Sequence, residues 1–329
     1  MRQFIPFKFM LLVLFAVLAA YSYRLSLSTE QAAKARFEQR SERVIQGLNA
    51  RIDQLTQGLL SARTLPMIIS NDLKPNHFRL YMSQRHLREE FPAAFGFGYI
   101  RRLAAADVAS FVEEQQQYRP DFQIQSLGAG GEEYFIVQYI EPLASNRAAI
   151  GLNLASEKKR RAAALRAMKS NAMALSEKLE LARDGHAEAG FLMLLPYYLR
   201  PLEGVTPTEA ERQDSLLGWV YAPISLTKLL AGLDDLAENR IDYAIYAGDE
   251  LKPQHLLFAS QASALDVTAA AFTRRVELEL GGQLWTVILS TSSTFQSPLE
   301  RWLWLLVFGF LLAGLLLGVL LMRSSFKQE

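Results

Sequence analysis

The residues with the clearest potential for chemistry form one acidic loop, and the histidines are scattered. The loop reads Gly130-Gly131-Glu132-Glu133-Tyr134, in which glycines would let the backbone approach a nucleotide and the two carboxylates would bind a metal ion. The chain has no cysteine, and no His-x-x-x-His pair occurs among His77, His86, His186 and His255. We therefore predict no thiol chemistry, no metal site and no cofactor.

The acidic loop is similar to the signature loop of diguanylate cyclases, but its neighbours are not those of a cyclase. A cyclase needs an aspartate-rich metal strand upstream, and the preceding segment 105–117 carries only Asp107. The loop also lies between two candidate membrane spans, on the side away from cytoplasmic GTP. We therefore predict a hairpin turn that enters a strand, and no catalytic centre in these residues.

Charge and composition exclude nucleic acid as a partner. Lys and Arg number 35 against 34 Asp and Glu, whereas nucleic-acid binding requires a basic excess. The one basic cluster, Lys158-Lys159-Arg160-Arg161, is predicted to be a solvated helix face, with contact to an anion or a lipid headgroup as the alternative. No Gly-x-Ser-x-Gly elbow, phosphate loop or dinucleotide fingerprint occurs in the sequence.

Two apolar segments, one near each end, predict membrane spans. Residues 302–322 read WLWLLVFGFLLAGLLLGVLLM without a charge, and at about 1.5 Å per residue such a helix crosses the roughly 30 Å hydrocarbon core. Residues 9–23 form a shorter apolar run between Lys8 and Arg24. We predict an uncleaved first span there, and a cleavable signal peptide is the alternative.

Positive charges on the short ends predict the orientation. Arg2 and Lys8 precede the first span, and Arg323 follows the second, so both ends are expected to face the cytoplasm. Residues 1–8 and 323–329 are then a cytoplasmic N-terminus and tail, and the loop 24–301 lies outside. The prediction is a two-pass protein of the inner (plasma) membrane, held in the lipid bilayer at both ends, whose tail leaves no room for an output domain.

The external loop begins with a helical pattern. Over residues 24–70, apolar residues recur three or four positions apart: Phe37, Val44, Leu48, Ile52, Leu55 and Leu59. We predict a stalk helix whose apolar stripe is the seam of a parallel homodimer. The alternative is a helix with one face packed on its own domain.

After the stalk, short strands and short helices follow one another, which favours an α+β fold over a doubly wound sheet. Ser156 is predicted to cap a helix that ends near Ser170 with Asn171 in its last turn. The polar segment 201–214 is the predicted linker between a subdomain at 71–200 and another at 215–301. Strands are predicted at 95–100, 122–126, 134–140, 149–154, 174–181, 190–198, 216–223, 241–246, 255–259, 274–280 and 284–290.

Three stretches of this loop resemble the CHASE domain, an extracytoplasmic sensor found between two spans of histidine kinases and diguanylate cyclases. Their order and spacing agree with the family over about residues 76–225. The first is similar to the family's Phe-Pro…Gly-x-Gly-Tyr stretch. They are Phe91-Pro92-Ala93-Ala94-Phe95-Gly96-Phe97-Gly98-Tyr99, then Tyr139-Ile140-Glu141-Pro142 with Gly151-Leu152-Asn153-Leu154, then Leu194-Leu195-Pro196-Tyr197-Tyr198 ahead of Gly218-Trp219-Val220.

The resemblance implies a stalk helix followed by two PAS-like antiparallel-sheet subdomains, flanked by two transmembrane helices. The membrane-distal subdomain of the family holds a small ligand. In its cytokinin receptors an aspartate anchors an adenine ring, and Asn153 stands at that position here, while a second, backbone contact falls near Leu175. An amide offers both a donor and an acceptor, so Asn153 suits an adenine edge or another ligand. The alternative is an asparagine that bonds only its own backbone.

The sequence thus predicts a sensory module that binds a small extracytoplasmic ligand, adenine-type or otherwise, and passes a signal across the membrane. It would be a fragment of a histidine kinase or diguanylate cyclase, or signal through a separate cytoplasmic partner. The alternatives are a structural protein such as a polysaccharide chain-length regulator, whose loop would be mostly helical, and an extracytoplasmic enzyme. Four more residues would line the pocket if strand alternation turns them inward, and are otherwise plain core: Tyr139, Phe191, Met193 and Tyr197.

Overall fold

The computed structural model describes residues 4–68, 74–128, 131–183, 186–198, 208–261, 270–295, 305–314 and 316. The long helix α1, Phe4–Ile68, extends over 65 residues. The shorter helices are α2 Pro75–Ser83, α3 Leu87–Glu90, α4 Val108–Tyr118, α5 Leu143–Asn146, α6 Lys158–Ser170, α7 Glu209–Ser215, α8 Leu226–Leu230 and α9 Leu233–Leu236. The strands are β1 Phe97–Ala104, β2 Gln125–Ser126, β3 Glu133–Glu141, β4 Leu152–Asn153, β5 Ala174–Leu175, β6 Leu179–Arg183, β7 His186–Tyr198, β8 Leu216–Ser225, β9 Ile241–Ala247, β10 Leu256–Ala259, β11 Thr273–Leu280 and β12 Gln283–Thr291.

The strands of the described residues form two sheets. The first sheet has the order β2-β4-β3-β1-β8-β7-β5, with β6 paired to β7. It is mixed, because β2 and β4 run parallel while the other pairs are antiparallel. The second sheet has the order β10-β9-β12-β11 and is antiparallel throughout. The α+β class and the long N-terminal helix predicted from the sequence are therefore confirmed.

The boundary between the two sheets differs from the sequence prediction. Strand β8 follows the predicted linker 201–214 but pairs with β1 and β7 in the first sheet. The second sheet therefore starts at β9, beyond Ser225. The predicted start of the second subdomain at residue 215 is thus placed too early in the chain. Polarity marked a loop correctly, but it could not show that the strand after the loop returns to the same sheet. Residues 208–214 contain the start of α7, and 201–207 lie outside the described residues.

The apolar stripe of α1 packs on the chain's own two sheets. Phe37, Val44, Leu48, Ile52, Leu55 and Leu59 are all buried and belong to one apolar cluster with residues of β7, β8, β9 and β12. We call this the stalk-facing cluster. The stripe is therefore not a dimer seam, because the side chains that would form the seam are already covered by the sheets.

The opposite face of the first sheet carries a second apolar cluster, which we call the inner face. Helix α6 contributes Ala163, Ala164, Ala167 and Met168, and α4 contributes Phe111. Alternation along a strand separates the two clusters, since Trp219 and Tyr221 of β8 lie on the inner face while Val220 and Ala222 face the stalk. The first sheet is thus buried on both sides.

The caps of α6 confirm one prediction and correct another. Asn171 ends the helix in the left-handed conformation, with φ of 51°, as the sequence indicated. The N-cap is Glu157, whose carboxylate accepts hydrogen bonds from the backbone N–H groups of Lys159 and Arg160. Ser156 instead donates to the carbonyl of Asn153 and accepts from the N–H of Leu127.

Among the helices of the described residues, none has both the length and the apolar character needed to cross a membrane. The predicted second span at 302–322 falls partly outside the described residues. The predicted turn at Asp184-Gly185 falls wholly outside them.

Candidate ligand-binding site

Asn153 lies in the short strand β4, between β2 and β3, where it pairs with Ile136 of β3. Its side chain is fully buried, at 0% exposure. The oxygen Oδ1 accepts hydrogen bonds from the backbone N–H groups of Phe135, at 3.0 Å, and Ala155, at 3.1 Å. The amide nitrogen Nδ2 is buried and has no hydrogen-bond partner among the described residues. The Oδ1 atom of Asn153 therefore stabilises the fold, whereas its Nδ2 atom is a donor without a partner in the described residues.

Tyr221 is a second unmet polar group on the inner face. Its hydroxyl is buried, and no group in the described part of the chain bonds it. Burial raises the pKa of Tyr221, so the hydroxyl keeps its proton. By contrast, the indole nitrogen of Trp219, two residues away, donates to the carbonyl of Ala164 at 2.8 Å. The inner face thus combines an apolar lining with two buried polar groups, the amide of Asn153 and the hydroxyl of Tyr221, that have no hydrogen-bond partner in the described residues.

Leu175 has a structural role in the sheet junction. Its N–H donates to the carbonyl of Gly281 at 2.9 Å, and its carbonyl accepts from Arg166 at 2.7 Å and Gln283 at 3.3 Å. Its side chain belongs to the stalk-facing cluster. Leu175 in β5 and Asn153 in β4 are separated in the strand order by β3, β1, β8 and β7. The backbone of Leu175 therefore joins the two sheets and is not free for a ligand in this arrangement.

The other four predicted residues face the stalk. Tyr139, Phe191, Met193 and Tyr197 are all buried in the stalk-facing cluster. The ring of Phe191 lies 5.0 Å from that of Trp285 in the second sheet. Strand alternation does place these four residues on one face of the first sheet. That face is the one packed against the stalk, whereas the apolar neighbours of Asn153 lie on the inner face. Tyr139 also lines a cavity of about 900 Å³ near the end of β3.

The acidic loop leads into β3, as predicted, and its glutamate is already paired. Glu133 accepts from Arg102 at 2.5 Å and lies 3.8 Å from Arg161. A carboxylate held by two arginines is a poor metal ligand, because its charge is already compensated. In the described ranges, no group of three His, Asp or Glu residues is arranged to hold a metal ion.

The basic cluster at the start of α6 makes more polar contacts with neighbouring residues than a purely solvated helix face would. Lys159 lies 3.6 Å from Glu177, and Arg160 donates to the carbonyl of Glu180 at 3.3 Å. Four cations at a helix N-terminus oppose the helix dipole, and the Glu157 cap offsets part of that cost. The cluster ties α6 to the strands beside it.

The family model described as the CHASE domain matches residues 71–258, more than half of the chain. This confirms the resemblance that the sequence motifs indicated. None of the curated proteins matches the chain.

Several solved structures are similar to this chain at low identity. One is an extracellular ligand-binding receptor from Desulfohalobium retbaense DSM5692, with 11% identity and a TM-score of 0.40, covering 82% of this chain and only 39% of that one. Another is the ligand-binding domain of the Pseudomonas aeruginosa PAO1 amino acid chemoreceptor PctC in complex with GABA, with 16% identity, a TM-score of 0.38, and coverage of 76% and 94%. A third is the periplasmic sensory domain of the Campylobacter jejuni chemoreceptor Tlp1, with 9% identity, a TM-score of 0.40, and coverage of 85% and 95%. All three TM-scores are below 0.5, and no functional argument rests on them.

Proposed function

The chain belongs to the CHASE domain family, and from that premise we propose that it is a sensory module that binds a small ligand outside the cytoplasm. One observation carries the proposal. By its resemblance, Asn153 corresponds to the ligand-anchoring aspartate of the family's cytokinin receptors, and its buried amide nitrogen has no hydrogen-bond partner among the described residues. A buried donor without a partner costs about 1–3 kcal/mol, which a ligand that accepts a hydrogen bond would recover.

The inner face defines the ligand by its chemistry. Asn153 offers a donor, and the hydroxyl of Tyr221 can donate or accept. The rings of Phe135 and Trp219, 4.5 Å apart, supply an aromatic lining. A flat heteroaromatic molecule with an acceptor at its edge, such as an adenine derivative, meets these requirements. The alanines of α6 cover this face, so we expect the ligand to displace α6 slightly.

Displacement of α6 also supplies a route for the signal. Arg166 of α6 donates to the carbonyl of Leu175, and Leu175 donates to Gly281 in the turn between β11 and β12. A shift of α6 on ligand binding would therefore reach the second sheet through these hydrogen bonds. The ligand drives the change only through its different affinity for the two arrangements.

The membrane arrangement belongs to the same proposal. The spans at 9–23 and 302–322 would hold the loop 24–301 outside the inner membrane, and two copies would form a homodimer. Because the apolar stripe of α1 is covered, the dimer contact would use other surfaces of the stalk and the spans. The output would come from a histidine kinase or diguanylate cyclase, either in the same longer protein or as a separate cytoplasmic partner.

Ligand binding can be tested with the full chain in detergent, by thermal-shift screening against adenine, adenosine and related heteroaromatic metabolites. Asn153→Ala removes the unmet donor, together with the oxygen that accepts from the N–H groups of Phe135 and Ala155. We expect it to weaken binding of the compound that stabilises the wild type by at least about tenfold. An unchanged affinity would show that Asn153 is not the contact.

Asn171→Ala is the matched control, because it removes the same side-chain amide at the exposed end of α6. We expect it to leave the affinity unchanged. Failure of every heteroaromatic compound to stabilise the wild type would contradict the proposed ligand class.

A further inference from the structure

The cavity of about 900 Å³ is lined by neither Asn153 nor Tyr221, although Phe122, Ile140 and Ile150 of the inner face contribute to its wall. Its walls come from the start of α2, the end of α4 with the segment after it, and the stretch from the end of β3 to residue 150. Phe78 and Tyr139, which line it, belong to the stalk-facing cluster. Small-molecule sites usually measure about 300–1,000 Å³, so the cavity has room for a metabolite.

Arg119 supplies a positive charge in this wall, and one nitrogen of its guanidinium is unpaired in the described residues. It caps the C-terminus of α4, where its N–H donates to the carbonyl of Gln115 at 2.9 Å. The guanidinium nitrogen Nη1 is buried and has no hydrogen-bond partner among the described residues. Burial lowers the pKa of Arg119, and the nearby Tyr139, Glu141 and Asp121 oppose that shift. Arginine keeps its charge under these conditions, so the buried Nη1 can donate to an oxygen of a bound ligand.

Arg147 brings a second cation to the same cavity. It begins the 3-10 turn Arg147–Ala149. Its like charge is close enough to contribute to the lowered pKa of Arg119. In the part of the chain that the structure describes, the Arg147 guanidinium makes no hydrogen bond or ion pair. Two guanidinium groups thus stand together, and each can donate to the oxygens of a carboxylate.

The cavity also carries negative charge. Asp121 and Glu141 both line it. One oxygen of Glu141 accepts from the N–H of Leu143 at 2.9 Å, and its second oxygen is left without a bond in the described residues. Asp121 has no hydrogen-bond or ion-pair partner within those residues. A simple anion would be attracted by the arginines and repelled by these carboxylates, so the wall favours a ligand of both signs.

We infer that this cavity is a second binding site, which takes a small zwitterion of the amino acid class. The carboxylate of the ligand pairs with Arg119 and Arg147, and its ammonium group pairs with Asp121 and Glu141. The aromatic walls, Phe78, Tyr118 and Tyr139, cover the apolar part of the ligand. The inference does not depend on Asn153, because neither Asn153 nor Tyr221 lines this cavity.

The test is isothermal titration calorimetry of the full chain in detergent with the common L-amino acids and β-alanine. We expect at least one of them to bind. Its carboxamide derivative lacks the negative charge, and its N-acetyl derivative lacks the positive one, so each should bind at least about tenfold more weakly. Absence of binding by every amino acid up to about 10 mM would overturn the inference.

Arg119→Gln and Arg147→Gln should each weaken binding of that amino acid at least about tenfold. Arg147 is exposed, so its variant should fold even if the Arg119 variant does not. Arg88→Gln, an exposed arginine outside this cavity, is the control and should bind as the wild type does. Binding that survives both cavity variants but is lost in Asn153→Ala would place the amino acid on the inner face and overturn the second site.

Discussion

At the scale of single residues, two buried asparagines near the first sheet differ in whether their amide nitrogens have hydrogen-bond partners. The amide nitrogen of Asn146 donates to the carbonyls of Phe95, at 3.0 Å, and Pro142, at 2.9 Å. That of Asn153 has no such partner in the described residues. The amide nitrogen of Asn146 is therefore satisfied by the fold, whereas that of Asn153 retains a donor that the fold does not use. This contrast is why we propose a ligand contact for Asn153.

The sequence could single out Asn153 as a candidate, but not the buried polar groups of Tyr221 and Arg119. Asn153 was found because it stands at a motif position of the family. Tyr221 follows Gly218-Trp219-Val220, and only the strand alternation in the structure shows that it shares the inner face with Trp219. No pattern pointed to Arg119, because its neighbours in the cavity come from α2, β3 and a turn far along the chain.

Glu238 provides a test of charge at the stalk. Its carboxylate accepts from Arg43, at 2.6 Å, and from Arg40, at 2.5 Å, both on α1. These bonds, with that of Arg43 the larger cause, lower the pKa of Glu238 from 4.5 to about 2. A depressed pKa means that the ionised form stabilises the fold above about pH 4.5, and that this contribution is lost as the pH falls towards 2.

We therefore expect Glu238→Gln to lower the melting temperature at pH 7 by about 1 to 3 °C, since exposed ion pairs contribute at most about 1 kcal/mol each. The difference from the wild type should shrink between pH 5 and pH 2, as thermal unfolding across that range would show. Glu279→Gln is the control, because Glu279 is exposed and forms no ion pair in the described residues. A difference that persists at pH 2 would contradict the assigned pairing.

At the scale of elements, periodicity predicted burial but not the covering partner. The stripe of α1 is buried as its spacing indicated, yet the same spacing suits a second helix or the chain's own sheets. Likewise, the alternation in β7 correctly put Phe191, Met193 and Tyr197 on one face, but it could not show that this face meets the stalk. Such choices depend on contacts between distant parts of the chain.

The turn between β11 and β12 tests the junction of the two sheets. Gly281 and Gly282 both have positive φ, of 56° and 75°. A Cβ atom on Gly281 would lie 2.6 Å from the backbone nitrogen of Leu175, whereas one on Gly282 would meet the flexible side chain of Arg166 at 2.7 Å. Both alanine variants carry a similar backbone strain, but only Gly281→Ala must also push the junction apart.

Gly281→Ala should therefore destabilise the protein by about 1 kcal/mol or more beyond the effect of Gly282→Ala. Chemical denaturation of the two variants and the wild type measures the free energies of unfolding. Equal losses in the two variants would mean that Leu175 does not hold the turn.

At the scale of the whole molecule, one long helix supports two sheets of different sizes. The class and the positions of most strands along the chain followed from composition and alternation. The boundary did not, because β8 returns to the first sheet after a polar segment and completes it between β1 and β7. The inner face, the junction at Leu175 and the second sheet thus form a continuous series of contacts. In the proposed function, this series carries the signal, which requires the two sheets to lie outside the cytoplasm.

The central claim, an extracytoplasmic sensor, is tested most directly by labelling single cysteines in intact cells with a membrane-impermeant maleimide. The chain has no cysteine of its own, so each introduced thiol reports one position. Leu127, 53% exposed, marks the first sheet, Asp249 marks the second, and Ser325 marks the predicted cytoplasmic tail. We predict that Leu127→Cys and Asp249→Cys are labelled in intact cells and Ser325→Cys only after permeabilisation. Labelling of the two sheet positions only after permeabilisation would place the sensory sheets in the cytoplasm and contradict the account.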